Sequence, residues 1–134
     1  MGIIKVAIAD DHKIFRKGVI LSLRPFTNIK FVQEAENGDE LIAGLGQSEP
    51  DVVLMDIDMP GESGITGVKM IKEARPETAV IMYTVFEDDE RLFQCLCAGA
   101  NGYLLKKTAP AKLFEGIQDV LEGGAPMSPS IAKK

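Results

Sequence analysis

The fold of this chain is decided by one stretch, Val52-Val53-Leu54-Met55-Asp56, together with the residues that follow it, Ile57-Asp58-Met59-Pro60-Gly61. Four consecutive apolar residues predict a short strand that is buried on both faces, as strands in a parallel sheet are. The Pro-Gly pair predicts a loop directly afterwards. Because open α/β sheets present reactive groups at the carboxyl ends of their strands, we expect the Asp56 carboxylate to lie at such an edge.

Three other segments repeat this arrangement of an apolar strand followed by a polar residue. They are Ile3–Ala9 with Asp10 and Asp11, Ala79–Tyr83 with Thr84, and Tyr103–Leu105 with Lys106. In a parallel sheet these strand ends lie at one edge. The sequence therefore predicts that acids, a hydroxyl and an ammonium group gather there, as a metal-assisted phosphoryl site requires.

Segments with helical spacing lie between the predicted strands. The predicted helices span about residues 12–24, 37–46, 65–74, 89–98 and 110–122, and Ile29–Ala35 adds a more polar strand of the kind found at a sheet edge. Strict alternation of strands and helices predicts an α/β fold: a five-stranded parallel sheet with helices on both faces. In the first helix, the spacing predicts that Ile14, Phe15 and Val19 face the core while Arg16 and Lys17 point outward.

The last predicted helix and the tail after it end the chain. The helix begins near Pro110, and its predicted buried stripe consists of Leu113, Ile117, Val120 and Leu121. The tail, residues 123–134, is short and rich in Pro and Ser, which is typical of a linker. We therefore divide the chain into one domain, 1–122, and a linker or tail, 123–134.

Composition limits the classes of function. A chain of 134 residues predicts one domain, and its net charge of -5 argues against direct nucleic-acid binding through a broad basic surface. We find no signal peptide and no stretch approaching the ~18 apolar residues of a membrane span. Cys95 and Cys97 are interpreted as packing residues in a reducing cytoplasm, so the expected location is cytoplasmic, with no membrane partner.

The predicted acid cluster needs a cation. Like charges this close raise one another's pKa and destabilise the fold, and Mg²⁺ takes oxygen ligands of this kind. We expect Asp11 and Asp56 to bind it directly, Asp10 to act through water, and the backbone carbonyl of Asp58 to supply another ligand. The alternative for Asp10 and Asp11 is helix capping.

The other polar residues also have two interpretations. Lys106 is either the cation that holds a phosphoryl oxygen or a solvated lysine. Thr84 either donates its hydroxyl to a phosphoryl oxygen or simply favours the end of a strand. His12 is interpreted as an exposed first-turn residue and not as a ligand.

Residues 3–122 resemble the receiver domain of two-component response regulators. The motifs that carry the resemblance are Ile8-Ala9-Asp10-Asp11-His12, Val53 to Gly61, Thr84, and Gly102-Tyr103-Leu104-Leu105-Lys106. The phrase Phe15-Arg16-Lys17-Gly18-Val19 and the tail are similar to the subgroup whose receiver precedes a LuxR-type helix-turn-helix domain, the LuxR/NarL type. The resemblance implies the flavodoxin-like receiver fold with strand order 2-1-3-4-5.

The resemblance also implies a role for each matched residue. Asp56 resembles the phosphoacceptor, Asp10 and Asp11 the acidic pair, and Lys106 the phosphate-binding lysine. Thr84 and Tyr103 resemble the switch hydroxyl and the switch aromatic. The implied donor is a sensor histidine kinase and the implied cofactor is Mg²⁺. A homodimer formed on phosphorylation and a C-terminal DNA-binding domain beyond this chain, acting in control of transcription, are further implied partners.

Three alternatives remain open. Tyr103 can be an ordinary core or interface aromatic. Asp56-Ile57-Asp58 is similar to the nucleophile motif of haloacid-dehalogenase-like phosphatases, although that motif usually lies on the first strand and continues to Thr. A pseudo-receiver that binds a partner without phosphorylation is the third alternative, because Val85 follows Thr84 where the family usually has a smaller residue.

Overall fold

A computed structural model describes residues 2–59 and 63–134. The loop predicted after Met59 includes Pro60, Gly61 and Glu62, which lie outside the described residues. In chain order the elements are β1 (Ile4–Ala9), α1 (Lys13–Leu23), β2 (Ile29–Ala35), α2 (Gly38–Ser48), β3 (Val52–Met55), α3 (Gly64–Ala74), β4 (Ala79–Thr84), α4 (Asp89–Ala98), β5 (Gly102–Leu105), α5 (Pro110–Leu121) and α6 (Pro129–Ala132). Among the described residues, no helix is long and apolar enough to span a bilayer.

The strands form one five-stranded sheet in the order β2-β1-β3-β4-β5, and every neighbouring pair is parallel. The predicted fold class and strand order are therefore confirmed. The register decides which strand ends meet, because Ala9 pairs with Met55 and Thr84 pairs with Leu105. The next residue along each chain segment, Asp10, Asp56 or Lys106, is therefore delivered to the same edge of the sheet.

The core has two layers, one on each face of the sheet. Alternate residues of β3 point to opposite faces, so Val53 and Met55 belong to one apolar cluster while Val52 and Leu54 belong to the other. Helices α2, α3 and α4 cover the first cluster, and α1 and α5 cover the second. Both faces of the sheet are therefore apolar, which explains why its central strands lack polar alternation.

Polar caps and one glycine fix the helix ends near the predicted positions. The Asn37 side chain accepts a hydrogen bond from the Glu40 amide at the start of α2, and the Asp88 side chain accepts one from the Arg91 amide at the start of α4. These bonds satisfy amides that would otherwise lack a partner. Gly99 ends α4 with φ 109°, a left-handed conformation that favours glycine.

The predicted faces of α1 were confirmed for Val19, Phe15 and Lys17 but were wrong for two residues. Ile14 is 90% exposed, whereas Arg16 is only 5% exposed and lies on the buried stripe with Val19 and Leu23. The spacing 16, 19, 23 is helical too, but a stripe that begins with arginine is not recognised from hydrophobicity. Burial of Arg16 is tolerated because its guanidinium bonds to Glu34 and to the backbone of Asp10.

One residue of the predicted α5 stripe was also wrong, since Leu121 is 42% exposed. Gly116 occupies the buried face in its place, alongside Leu113, Ile117 and Val120. A Cβ at position 116 would lie 3.0 Å from Cδ1 of Leu104, so glycine allows α5 to approach β5 closely. Cys95 is buried as expected, but Cys97 is exposed and is not a packing residue.

Residues 125–132, called here the C-terminal strap, pack against the outer edge of β5. The Tyr103 amide donates to the Pro126 carbonyl at 2.9 Å, and the Ser128 amide donates to the Tyr103 carbonyl at 3.1 Å. Ile131 is 1% exposed and belongs to the same apolar cluster as Tyr103. The expectation of a linker or tail over 123–134 did not anticipate this packing, and the domain boundary at residue 122 stays a prediction.

Candidate functional site

Lys106 brings the ends of three strands together. Its Nζ atom lies 2.8 Å from Oδ2 of Asp10 and 3.0 Å from Oδ2 of Asp56. Asp10 follows β1, Asp56 follows β3 and Lys106 follows β5, so residues far apart in sequence meet at the carboxyl edge of the sheet. Only 3% of the Asp10 side chain, 5% of that of Asp56 and 12% of that of Lys106 are exposed. One ammonium therefore bridges two buried carboxylates.

Asp11 and His12 join this group. One ligand atom from each of Asp10, Asp11, His12 and Asp56 lies within 4.8 Å of the others. Oδ1 of Asp11 is buried and accepts no hydrogen bond from the described residues. A buried carboxylate oxygen without a donor is costly, and a hard cation satisfies it. The oxygen-rich donor set and this unpaired oxygen both fit Mg²⁺.

Sequence reasoning placed His12 outside the site, but its ring lies beside the acids. Nδ1 is 3.2 Å from Oδ1 of Asp11 and 3.3 Å from Oδ1 of Asp10, although 65% of the side chain is exposed. His12 is the residue that caps α1, and its amide donates to Oδ1 of Asp10 at 2.8 Å. No side chain of the described residues caps α1, so the capping alternative for Asp10 is not seen, although its carboxylate bonds to the residue that precedes the helix.

Asp58 does not join the carboxylate cluster. Its side chain is exposed, and it follows Ile57, which returns to the core. The sequence assigned Asp58 a ligand role through its backbone carbonyl only. That role stays a prediction.

Burial and charge oppose one another at the site. Burial raises the pKa of Asp56, and the nearby Asp10 adds to this, while the hydrogen bond and the charge of Lys106 act to lower it. The pKa of Lys106 is raised: burial alone would lower it, but its hydrogen bonds to Asp10 and Asp56 outweigh burial. Lys106 therefore keeps its proton more strongly than an ordinary lysine, and Asp56 ionises less readily than an ordinary aspartate.

The two predicted switch residues both contact one loop residue, Phe86. Thr84 is the last residue of β4 and is fully buried, and its Oγ1 accepts a 3.4 Å hydrogen bond from the Phe86 amide. Tyr103 is fully buried as well, and its hydroxyl donates to the Phe86 carbonyl at 2.8 Å. Phe86 was missed by the sequence reasoning because its backbone, and not its side chain, makes both contacts.

Two residues of α1 at the site were also missed. The ring centroid of Phe15 lies 4.6 Å from Nζ of Lys106, and the same ring packs against Tyr83 with centroids 5.6 Å apart. An aromatic face next to an ammonium stabilises its charge. Arg16 donates a hydrogen bond to the Asp10 carbonyl. No pattern of hydrophobicity indicates either contact.

Comparison with known sequences identifies the family. Residues 6–118 match the family model of the response regulator receiver domain. The chain is 40% identical over 122 residues to the transcriptional regulatory protein YxjL of Bacillus subtilis, covering 91% of this chain and 56% of that protein. It is 35% identical over 128 residues to the oxygen regulatory protein NreC of Staphylococcus carnosus, covering 95% and 59% respectively. The chain thus spans less than two thirds of these relatives.

Solved structures agree in fold over nearly the whole chain. A two-component response regulator of the LuxR family from an Aurantimonas species superposes with a TM-score of 0.93 at 29% identity, covering 98% of this chain and 94% of that one. The isolated receiver domain of RcsB from Salmonella enterica, determined with the phosphomimetic BeF3-, gives a TM-score of 0.89 at 30% identity and covers 98% of both chains. On these sequence and structural matches, the chain belongs to the receiver domains of LuxR/NarL-type response regulators.

Proposed function

We propose that Asp56 accepts a phosphoryl group from the phosphohistidine of a sensor histidine kinase. The observation that carries the proposal is the position of Lys106, whose ammonium contacts both Asp10 and Asp56 in a largely buried pocket. A cation fixed beside a carboxylate is suited to the equatorial oxygens of a transferring phosphoryl group. The RcsB receiver solved with a phosphomimetic supports the proposal by analogy, since it shares the fold.

The transfer is a single displacement at phosphorus. Oδ2 of Asp56 accepts a hydrogen bond from Lys106, which leaves the second carboxylate oxygen to form the bond to phosphorus. The phosphorus–nitrogen bond breaks on the opposite side, and the donor imidazole leaves with that electron pair. Lys106 stays close to the developing negative charge, so positioning and electrostatics supply the rate.

Asp10, Asp11 and Asp56 would hold Mg²⁺, with the carbonyl of Asp58 as the further predicted ligand. The bound cation would offset the charge of the phosphoryl oxygens, and would satisfy the unpaired Oδ1 of Asp11. Among the chain's own groups, Asp10 orients Lys106 through the 2.8 Å contact between Oδ2 and Nζ. Dephosphorylation by attack of water on the same phosphorus belongs to this proposal, so the chain catalyses only its own modification.

Thr84 and Tyr103 would change their contacts in response to the phosphoryl group. It adds about -1.5 to -2 charges beside Asp56, and the Thr84 hydroxyl is the donor expected to turn toward it. That movement breaks the hydrogen bond from the Phe86 amide to Thr84. The hydrogen bond from the Tyr103 hydroxyl to the Phe86 carbonyl then remains to position the loop at Phe86. Phosphorylation would thus favour one arrangement of the loop and of the neighbouring α4 and α5 faces, shifting an existing equilibrium.

Control of transcription completes the proposal. The relatives named above are transcriptional or oxygen regulatory proteins longer than this chain, and one RcsB structure contains dimers bound to DNA. We propose that a LuxR-type DNA-binding domain, and a homodimer formed on phosphorylation, deliver the response. The cytoplasmic location expected from the sequence is part of the same proposal.

Mass measurement after incubation with acetyl phosphate and Mg²⁺ tests the acceptor. Wild type is expected to gain one acid-labile phosphoryl group, Asp56→Asn none, and Asp58→Asn the same as wild type. Asp58→Asn is the matched control because it changes only an exposed side chain and keeps the backbone carbonyl, which is the group assigned to Mg²⁺. An unmodified wild type would support the pseudo-receiver, and turnover of a small phosphomonoester with Asp58 required would support the phosphatase.

A further inference from the structure

We propose that Arg16 is a positioning residue for the metal-binding acids, acting through the backbone carbonyl of Asp10. The inference rests on the proposed function, because it concerns the Mg²⁺ that the acid pocket would hold. Helical spacing predicted that Arg16 points outward from α1, so the role proposed for it comes from the structure.

The guanidinium of Arg16 is held between two groups. Nη1 donates to the Asp10 carbonyl oxygen, and Nε donates to Oε1 of Glu34 on the edge strand β2 at 3.0 Å. Only 6% of the Arg16 side chain is exposed, compared with 31% for Glu34. A buried guanidinium needs such partners, and its planar geometry fixes the directions of both hydrogen bonds at once. Arg16 therefore ties α1, β2 and the end of β1 together at one point.

The contact matters because Asp10 precedes Asp11, whose carboxylate has only the exposed His12 ring as a side-chain partner in the part of the chain that the structure describes, with Nδ1 3.2 Å from Oδ1. Asp10 is bonded from several directions: its amide donates to the Ala35 carbonyl at 3.0 Å, and its side chain contacts Lys106. Asp11, by contrast, has an Oδ1 atom without any hydrogen-bond donor among the described residues. Its position relative to Asp56 is therefore set by the backbone that leads into it. Two side-chain contacts fix that backbone: Arg16 donates to the Asp10 carbonyl before Asp11, and Oδ1 of Asp10 accepts from the His12 amide after it at 2.8 Å.

Arg16 does not reach the pocket itself. Its contacts given above are with a backbone carbonyl and with Glu34, so it neither touches phosphoryl oxygens nor replaces Lys106. Partners of metal ligands of this kind commonly change metal affinity when they are removed. A residue in this role changes how tightly the cation binds and changes the transfer step much less once the cation is bound.

Lys17 provides a matched control. It is the next residue on the same helix, carries the same charge and contacts the same carboxylate, with Nζ 2.9 Å from Oε2 of Glu34. It makes no hydrogen bond to Asp10 among the described contacts, and 51% of its side chain is exposed. Arg16→Met and Lys17→Met each remove one positive charge that pairs with Glu34, but only Arg16→Met removes the hydrogen-bond donor to the Asp10 carbonyl.

The experiment measures the Mg²⁺ dissociation constant by following amide NMR signals of residues 10–12 and 56 during titration. Arg16→Met is expected to weaken Mg²⁺ binding about 10-fold, with Lys17→Met within twofold of wild type. The rate of phosphorylation by acetyl phosphate should fall for Arg16→Met at low Mg²⁺ and recover to within about threefold at saturating Mg²⁺. Without metal, the Asp10 and His12 amides should exchange faster in Arg16→Met alone.

Arg16→Lys keeps the protein measurable if the methionine variant does not fold. The lysine ammonium lacks the planar geometry with which the guanidinium bonds to both Glu34 and the Asp10 carbonyl. Arg16→Lys is therefore expected to lose less Mg²⁺ affinity than Arg16→Met, but still more than twofold. A lower melting temperature with unchanged Mg²⁺ affinity would overturn the proposal and leave Arg16 a purely structural residue. Failure of wild type itself to bind Mg²⁺ would instead contradict the proposed function.

Discussion

The carboxyl end and the outer edge of β5 use opposite physical chemistry. Lys106, just past its carboxyl end, lies in a pocket of buried charges where two carboxylates compete for one ammonium. Along its outer edge, the C-terminal strap adds backbone hydrogen bonds to Tyr103 and buries Ile131. Burying charge costs free energy, whereas burying apolar surface and pairing backbone groups stabilises the fold. The pocket is therefore built for chemistry at the expense of stability, and the strap contributes stability next to it.

Removing Lys106 tests the charge balance of the pocket and should give the largest effect. Lys106→Met leaves Asp10 and Asp56 buried without their counter-charge, so we expect a loss of about 4 kcal/mol of unfolding free energy near neutral pH in metal-free buffer. Phosphorylation should also slow by about 100-fold, the scale for losing one donor to a transition-state charge. Urea denaturation and single-turnover kinetics measure the two.

Lys107→Met is the control for that comparison, because Lys107 is the exposed neighbour in sequence. It should leave both quantities near the wild-type values. A Lys106→Met protein as stable as Lys107→Met in the absence of metal would contradict the view that one ammonium holds the pocket together.

The strap is tested by shortening its buried side chain. Ile131→Ala removes three carbon atoms from a residue that is 1% exposed, and we expect a loss of about 3 kcal/mol from lost burial and the cavity left behind. The variant at the exposed Lys133, Lys133→Ala, should change stability very little. Thermal unfolding measures both, and equal melting temperatures would show that the strap does not contribute to the fold.

Asp56→Asn should stabilise the protein, in contrast to the two variants above. Burial raises the pKa of Asp56 in the folded state. At a pH above the ordinary carboxyl pKa, the ionised side chain therefore destabilises the folded protein relative to the unfolded chain. Removing the charge should add about 1 kcal/mol near neutral pH in metal-free buffer, as is common for strained sites. The gain should shrink as pH falls toward 3.8, where the unfolded chain also becomes protonated. Denaturation across pH decides this, and a less stable Asp56→Asn would overturn it.

The smallest effect should come from Glu34, which lies on the edge strand β2 and bonds to Arg16 and Lys17. Its bond to Lys17, then its bond to Arg16, lower its pKa below 4.5 despite some opposing burial. A lowered carboxyl pKa contributes stability above the unfolded value and loses it as pH falls through the folded value. Glu34→Gln should therefore flatten the stability profile slightly below about pH 4.5. Thermal unfolding at acidic pH measures this. If Glu34→Gln and wild type lose stability equally as pH falls, the ion pairs of Glu34 are too exposed to contribute.

Much of the fold and the pocket followed from local sequence. The bounds of β3 follow from the run Val52–Met55, and the predicted helix over 89–98 coincides with α4, which Asp88 caps. These features depend on a residue and its near neighbours, so periodicity and capping rules recognise them. The burial of Arg16 in α1 did not follow, because its partners lie on another strand and at the end of β1.

The sequence by itself determined the alternation of elements, and hence that Asp10, Asp56 and Lys106 each follow an apolar strand. The strand order was expected only through the family resemblance, and the register that aligns Ala9 with Met55 was decided by the tertiary structure, since pairing depends on contacts between distant segments. The tertiary structure also decided that Arg16 is buried and that the strap covers Tyr103. Hydrogen bonds and burial between residues far apart in sequence leave no local pattern, and those contacts hold the pocket in shape.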